Sequence, residues 1–195
     1  RPGLDGAGLF GHVGANAVIR GIGLDDAAIS GGNRTGGLIG VNAGTVEQCY
    51  ARGSVSGGHE TGGLVGSNSG GVTESYAATS LSGLTLGGLV GADNGGTVAS
   101  SFWDTAVSGV LTSGGGTGLV TGMLQTASTY TGVGWDMANT WALVEGLSYP
   151  YFRNSASVRV TTFPATLINA DSVDIGLESF VPDLFVTVGG GAYPA

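Results

Sequence analysis

The sequence predicts an all-β fold, a parallel β-helix (β-solenoid) with about three short strands per coil of 25–29 residues. Three observations carry that reading. First, one phrase occurs four times, as Gly8-Leu9-Phe10-Gly11, Gly37-Leu38-Ile39-Gly40, Gly63-Leu64-Val65-Gly66 and Gly88-Leu89-Val90-Gly91. Its first glycines are 29, 26 and 25 residues apart, the period of a stacked array. Second, other side chains keep the same interval: Val46, Val72 and Val98; Tyr50, Tyr76 and Phe102; Val55, Leu81 and Val107. Third, forty glycines stand beside frequent Val, Leu and Ile, which suits short strands joined by tight turns. Collagen is excluded because glycine does not recur at every third position, and disorder is excluded by the apolar content and sparse charge.

Each coil then reads as three extended pieces: the Gly-Leu-Val-Gly phrase, a Val-x-x-x-Tyr piece, and a Val/Leu-Ser-Gly piece. Parallel pairing with the next coil, about 4.7–4.9 Å away, stacks equivalent side chains into columns. The Leu38/Leu64/Leu89 and Val55/Leu81/Val107 columns are expected to face inward. Each fully buried Val or Leu contributes on the order of 1.5–3 kcal/mol. No coil closes its own core, so stability comes from neighbours. The glycines supply corners with positive φ or close backbone approach. Asn42, Asn68 and Asp93, each five residues after the first glycine of its phrase, read as a turn ladder.

The facing of Val46–Tyr50 is open at this level. Strict alternation puts Val46, Gln48 and Tyr50 on one side and the small column Cys49/Ser75/Ser101 opposite; a bend inside the segment reverses part of this. An inward valine column, with the aromatic column packed near a corner, is the preferred arrangement. After the repeats, Met123–Tyr130 is the expected short helix, with Met123, Leu124, Ala127 and Tyr130 on one side. Trp103, Trp135 and Trp141 are expected to cap the open end of the stack, with a sugar-stacking platform as the minor alternative. Ser157–Thr161 and Leu184–Val188 read as strands of a tail. Three regions result: repeats over 1–117, a closing segment over 118–153, and a β tail or the start of a next domain over 154–195. Edge pairing of that tail between copies would build a filament.

The repeat resembles a known family unit. Gly-Gly-Leu-Val-Gly-x-Asn, then Val-x-x-Ser-Tyr-Ala, then Val-Ser-Gly looks like the GLUG repeat, and Gly62–Ala77 matches it best. That repeat occurs in large secreted bacterial surface proteins, including filamentous-haemagglutinin-like exoproteins and adhesins, and in some immunoglobulin A proteases. Ser101-Phe102-Trp103-Asp104, Thr117-Gly118-Leu119, Trp135-Asp136, Trp141 and Ser148–Arg153 are similar to the segment that often closes such arrays. The resemblance covers residues 8–153 and implies an extracellular structural or adhesive segment; it transfers no catalytic residue. The first copy departs from it, because Ala17-Val18-Ile19-Arg20 lacks the aromatic column.

Composition narrows the partners. There is no lysine, and six arginines face fourteen acidic residues, a net charge of −8. Nucleic-acid binding and attraction to anionic membranes are excluded on that balance. Cys49 is the only cysteine, so no internal disulfide forms. No apolar run reaches membrane-spanning length. The chain begins with Arg1-Pro2 instead of methionine and shows no signal peptide, which reads as a processed product or a fragment.

No catalytic constellation, cofactor site or metal site is expected. His12 and His59 lie in different repeats, and His59-Glu60 is not a helical zinc motif. Glu47 and Glu74 are offset by one position between adjacent repeats, which places them on opposite faces. The Gly-Gly-x-Gly-x-Asp calcium repeat is absent, Gly114–Gly118 lacks the lysine of a phosphate loop, and the threonines form no regular ice-binding array. The functional expectation is a non-catalytic, secreted or surface-displayed bacterial segment. Its partners would be host-cell or surface glycans and proteins, or copies of itself. Loops around Gly57–Thr61, Ser82–Leu86 and Val110–Thr117 would make the contacts. The alternatives are a subunit of an extracellular filament or layer, and the scaffold part of a secreted carbohydrate-active enzyme or protease.

Overall fold

The computed structural model describes residues 3–153, with only short strand pairings beyond them. It is a parallel β-solenoid of about four turns. Coil 1 contains β1 (Phe10–Val13), β2 (Val18–Arg20) and β3 (Gly23–Ser30). Coil 2 contains β4 (Ile39–Asn42), β5 (Thr45–Glu47) and β6 (Tyr50–Ser56). Coil 3 adds the short β7 (Thr61–Gly62) to β8 (Val65–Asn68), β9 (Gly71–Thr73) and β10 (Tyr76–Ser82). Coil 4 holds β11 (Leu86–Gly87), β12 (Val90–Asp93), β13 (Thr97–Ala99) and β14 (Phe102–Asp104). The sheets run β1-β4-β8-β12, β2-β5-β9-β13 and β3-β6-β10-β14-β15, where β15 is Thr117–Leu119; β7 pairs with β11.

The repeated phrase bends the chain. The amides of Leu38 and Ile39 both donate to the Leu64 carbonyl, at 2.9 and 3.1 Å, and those of Leu64 and Val65 do the same to Leu89. Leu and the residue after it are therefore both fully buried in coils 2 to 4. The glycines of the phrase answer to close approach: a Cβ on Gly62 would collide with the Val65 carbonyl, and one on Gly63 with the carbonyl of Gly88.

The second corner settles the facing of the Val46–Tyr50 segment. Gly21, Gln48, Glu74 and Ser100 all have positive φ, at 68°, 53°, 45° and 46°. Each reverses the alternation, so Val46 and Val72 and then Cys49 and Ser75 all turn inward. The small column is bonded along the axis: the Cys49 amide donates to Ser75 Oγ (3.1 Å) and the Ser75 amide to Ser101 Oγ (3.2 Å). After the corner, Ala51, Ala77 and Trp103 point in, while Tyr50, Tyr76 and Phe102 point out. The asparagine ladder is present: Asn42 Nδ2 donates to Asn68 Oδ1 (2.8 Å), and Asn68 Nδ2 to Asp93 Oδ1 (2.9 Å).

The Val55/Leu81/Val107 column needs correction. Ile29, Val55 and Leu81 are in register, and Val55 is buried. Val107 is exposed, because the chain leaves the sheet after Asp104 and turns through α1 (Thr105–Ser108). Asp104 caps that turn, accepting from the amides of Ala106 and Val107. Val98 is only partly buried, in the last complete coil.

The cap also differs from expectation. Two different pieces close two different surfaces. The open end is crossed by Thr112–Gly118: the Gly88 amide donates to Thr112 O (2.9 Å), and Gly115, Gly116 and Gly118 pass over Val98, Leu89 and Trp103 with no room for a Cβ. Trp103 belongs to this end, its Nε1 donating to Val110 O at 3.0 Å. Trp135 and Trp141 sit instead on the flank of the solenoid, against the outward aromatic column. The expected single helix is two turns, α2 (Thr121–Leu124) and α3 (Ala127–Thr131), broken at Gln125-Thr126. Leu124 and Tyr130 are buried but Met123, the neighbour of Leu124 in the same turn, is exposed. The hairpin of β16 (Trp141–Ala142) and β17 (Tyr151–Phe152) completes this cover. The tail strands expected at Ser157–Thr161 and Leu184–Val188 lie largely outside the described residues; the backbone shows Arg159–Val160 (β18) with Leu177–Glu178 (β19), and Val186–Val188 (β20) with Gly191–Tyr193 (β21).

Candidate functional site

Two surfaces combine enough chemistry to be weighed: the covered aromatic flank and the row of corner loops. On the flank, Tyr50 and Tyr76 stack at 5.1 Å because β6 and β10 hold them in register. Trp135 and Trp141 lie 4.6 Å apart over them, and Phe152 is 4.4 Å from Trp141. Polar ends are tied in. Tyr76 Oη donates to Pro150 O (2.7 Å), Tyr130 Oη to Leu124 O (2.6 Å), and Tyr149 Oη to Asp104 Oδ2 (2.6 Å). Burial pushes the Tyr50 phenol up to about 12, assisted by the nearby Asp25 charge. Burial, then the bond to Asp104, pushes Tyr149 to about 12 as well.

Trp135 is 3% exposed and Trp141 0%, so neither offers a face to a sugar; the stacking-platform alternative is excluded for these two rings. Beside them Arg52 pairs with Asp25, lies 5.3 Å over the Tyr50 ring, and shares Asp25 with the Tyr50 hydroxyl (3.0 Å). This network anchors the rim of the cover. The repeat did not signal it, because Arg52 aligns with Ala78. Asp104 was also missed as a functional position, although an aspartate ahead of a short non-strand run is a capping signal.

The corner loops form a ladder. The Gly31 amide donates to Ser56 O and the Gly57 amide to Ser82 O, both at 2.9 Å. Gly58 donates to Gly32 O (2.7 Å) and Leu84 to Gly58 O (3.0 Å). Side chains extend it: the His59 amide reaches Asn33 Oδ1 (2.9 Å) and the Glu60 amide reaches Thr85 Oγ1 (2.7 Å). The expected loops Gly57–Thr61 and Ser82–Leu86 therefore do line one side, joined by Ser30–Arg34 of coil 1. Val110–Thr117 does not continue this row, since its second half crosses the end of the stack. Asn33, Arg34, His59, Leu84 and Thr85 are exposed at the tips, with Leu84 73% exposed.

Acidic groups are dispersed. Glu47 pairs with Arg20 and lies opposite Thr73, while Glu74 accepts from Gln48 (3.0 Å), so the one-residue offset separates the two glutamates in register. His12 is exposed on β1. Among the described residues no group of three or more His, Cys, Asp or Glu is placed to hold a metal ion. Cys49 is buried, and desolvation raises its thiol to about 11. No helix among the described residues is long and apolar enough to cross a membrane. Comparison with protein-family models, curated proteins and solved structures found no match.

Proposed function

We propose that this chain is a non-catalytic, adhesive or structural β-solenoid segment of a secreted or surface-displayed bacterial protein. It would present the corner loops to cells, glycans or surfaces. The observation that carries the reading is the loop ladder: three successive coils place Asn33-Arg34, His59 and Leu84-Thr85 in one row on a hydrogen-bonded frame. A row of exposed, varied tips on a stiff support is suited to contact and not to enclosing a small substrate. The likeness of Gly62–Ala77 to the GLUG repeat supports the same class.

The test is a glycan-array and cell-binding screen of the chain beside a His59→Ala/Leu84→Glu variant. Binding by the parent that falls at least about tenfold in the variant, with unchanged melting, supports the loops as the contact surface. Equal binding by both removes them. The filament reading is weakened by one feature, the crossing of one end by Thr112–Gly118, which blocks head-to-tail coil stacking.

A further inference from the structure

The turn after β12 is longer than its counterparts in the other coils. Thr45 follows Asn42 by three positions and Gly71 follows Asn68 by three, but Thr97 follows Asp93 by four, although Asp93 pairs with Asn68 and Thr97 with Gly71. The extra residue lies in Asn94-Gly95-Gly96, and the ladder passes over Gly95. The Asn94 amide donates to Asn68 O (2.6 Å) and the Thr97 amide to Gly70 O (2.8 Å). The Gly95 amide makes no hydrogen bond among the described residues. Gly95 is exposed, has φ of 92°, and nothing lies within 4 Å of where its Cβ would stand.

Asn94 is exposed as well, and its carboxamide is held by one bond, Nδ2 donating to Ser67 Oγ at 2.8 Å. No other asparagine in the sequence precedes a glycine. Asn42 and Asn68, fully buried in the ladder, are followed by Ala43 and Ser69. Asparagine is one of the chemically labile residues. Its side-chain carbonyl carbon can be attacked by the next backbone nitrogen where the chain can fold back on itself. Glycine favours that approach, because it has no Cβ to obstruct it and adopts either sign of φ. An exposed Asn-Gly pair with an unbonded glycine amide therefore holds both reactants next to each other and in contact with water.

We propose that Asn94-Gly95 is a site of self-modification, deamidation through a cyclic imide, with the bond to Ser67 as its restraint. The Gly95 nitrogen attacks Asn94 Cγ, the new C–N bond closes the ring, and the Cγ–Nδ2 bond breaks. The Gly95 amide proton departs with Nδ2, which leaves as ammonia. Solvent water then opens the ring at either carbonyl, giving aspartate or isoaspartate. The net change is amide plus water to carboxylic acid plus ammonia, with no oxidant or reductant involved. Either product places a carboxylate beside Asp93, whose Oδ1 is the last acceptor of the asparagine ladder, and withdraws the Nδ2 donor from Ser67. The isoaspartate product also lengthens the backbone of the turn by one carbon. The modification acts on the contact between coils 3 and 4 and is independent of what the corner loops bind.

The experiment is peptide mapping by mass spectrometry after incubation at mildly alkaline pH. It compares the folded full chain, full-length Ser67→Ala, and the full chain unfolded in guanidinium chloride, with Asn42 and Asn68 as internal references. The expected result is conversion at Asn94 in the folded chain while Asn42 and Asn68 stay intact, and conversion at least about threefold faster in Ser67→Ala. A folded chain that keeps Asn94 intact over the time in which the unfolded chain converts there would overturn the proposal. Equal rates in the parent and in a folded Ser67→Ala would overturn the restraint assigned to Ser67. If Ser67→Ala does not fold, the folded and unfolded parent chains decide alone.

Discussion

Tyr76 and Ala77 are neighbours on one strand, both are buried, and they belong to different structures. Ala77 points into the solenoid, in a column with Ala51 and Trp103 that the repeat itself builds. Tyr76 points out and is covered by Trp135, Trp141 and Tyr149 from a segment that does not repeat. The interior is a stack of equivalent small and branched side chains held by parallel ladders. The flank is a set of unlike rings whose hydroxyls find backbone or carboxylate partners one by one. Periodicity says which side chains share a column; what covers that column has to come from elsewhere.

Substitutions can break this comparison on either side. The largest effect is expected from Leu64→Asp, which buries an unpaired carboxylate at a fully enclosed position in the central column. Circular dichroism should show cooperative loss of the β signal at temperatures where the parent is folded. Next is a pair within one predicted column. Val55→Ala should cost about 1–2 kcal/mol in denaturant unfolding, while Val107→Ala, at an exposed site in α1, should stay within about 0.5 kcal/mol. Equal costs would restore Val107 to the core. Asn68→Ala removes an acceptor from buried Asn42 and should cost about 1–3 kcal/mol.

The flank carries its own pH signature. The Tyr50 and Tyr149 phenols are raised in the fold, so the stability they confer is full below pH 10 and is lost as pH rises towards about 12. Alkaline unfolding of the cover, followed by tryptophan fluorescence, should begin in that window, with Tyr149→Phe shifting its onset upward. The smallest effect is expected at His59→Ala, where an exposed ring on a loop tip should leave the melting temperature unchanged.

The interior was the legible part. The four phrases located β1, β4, β8 and β12, the valine interval located β5, β9 and β13, and Asn42, Asn68 and Asp93 formed the ladder their spacing suggested. The bend at Gln48, Glu74 and Ser100 was only one of two facings the sequence left open, because these residues give no hint of positive φ where glycine stands only in coil 1. That bend decided the facing of the aromatic column, and with it the place of Trp135 and Trp141. Val107 kept its interval but lost its strand, since Asp104 stopped the sheet with a cap. The loop row was anticipated for two of its members; the third was drawn across the stack by contacts with Val98 and Leu89 that no local pattern announces.

The most direct test of the division between interior and cover is residue-resolved hydrogen exchange on Trp141→Ala. Trp141 touches Tyr50, Tyr76, Trp135 and Phe152 and none of the interior columns. The account predicts that amides of 121–153 lose protection while those of Val65–Asn68 and Gly71–Thr73 keep theirs. Loss of protection across both regions together would contradict it, and would make the solenoid and its cover one cooperative unit.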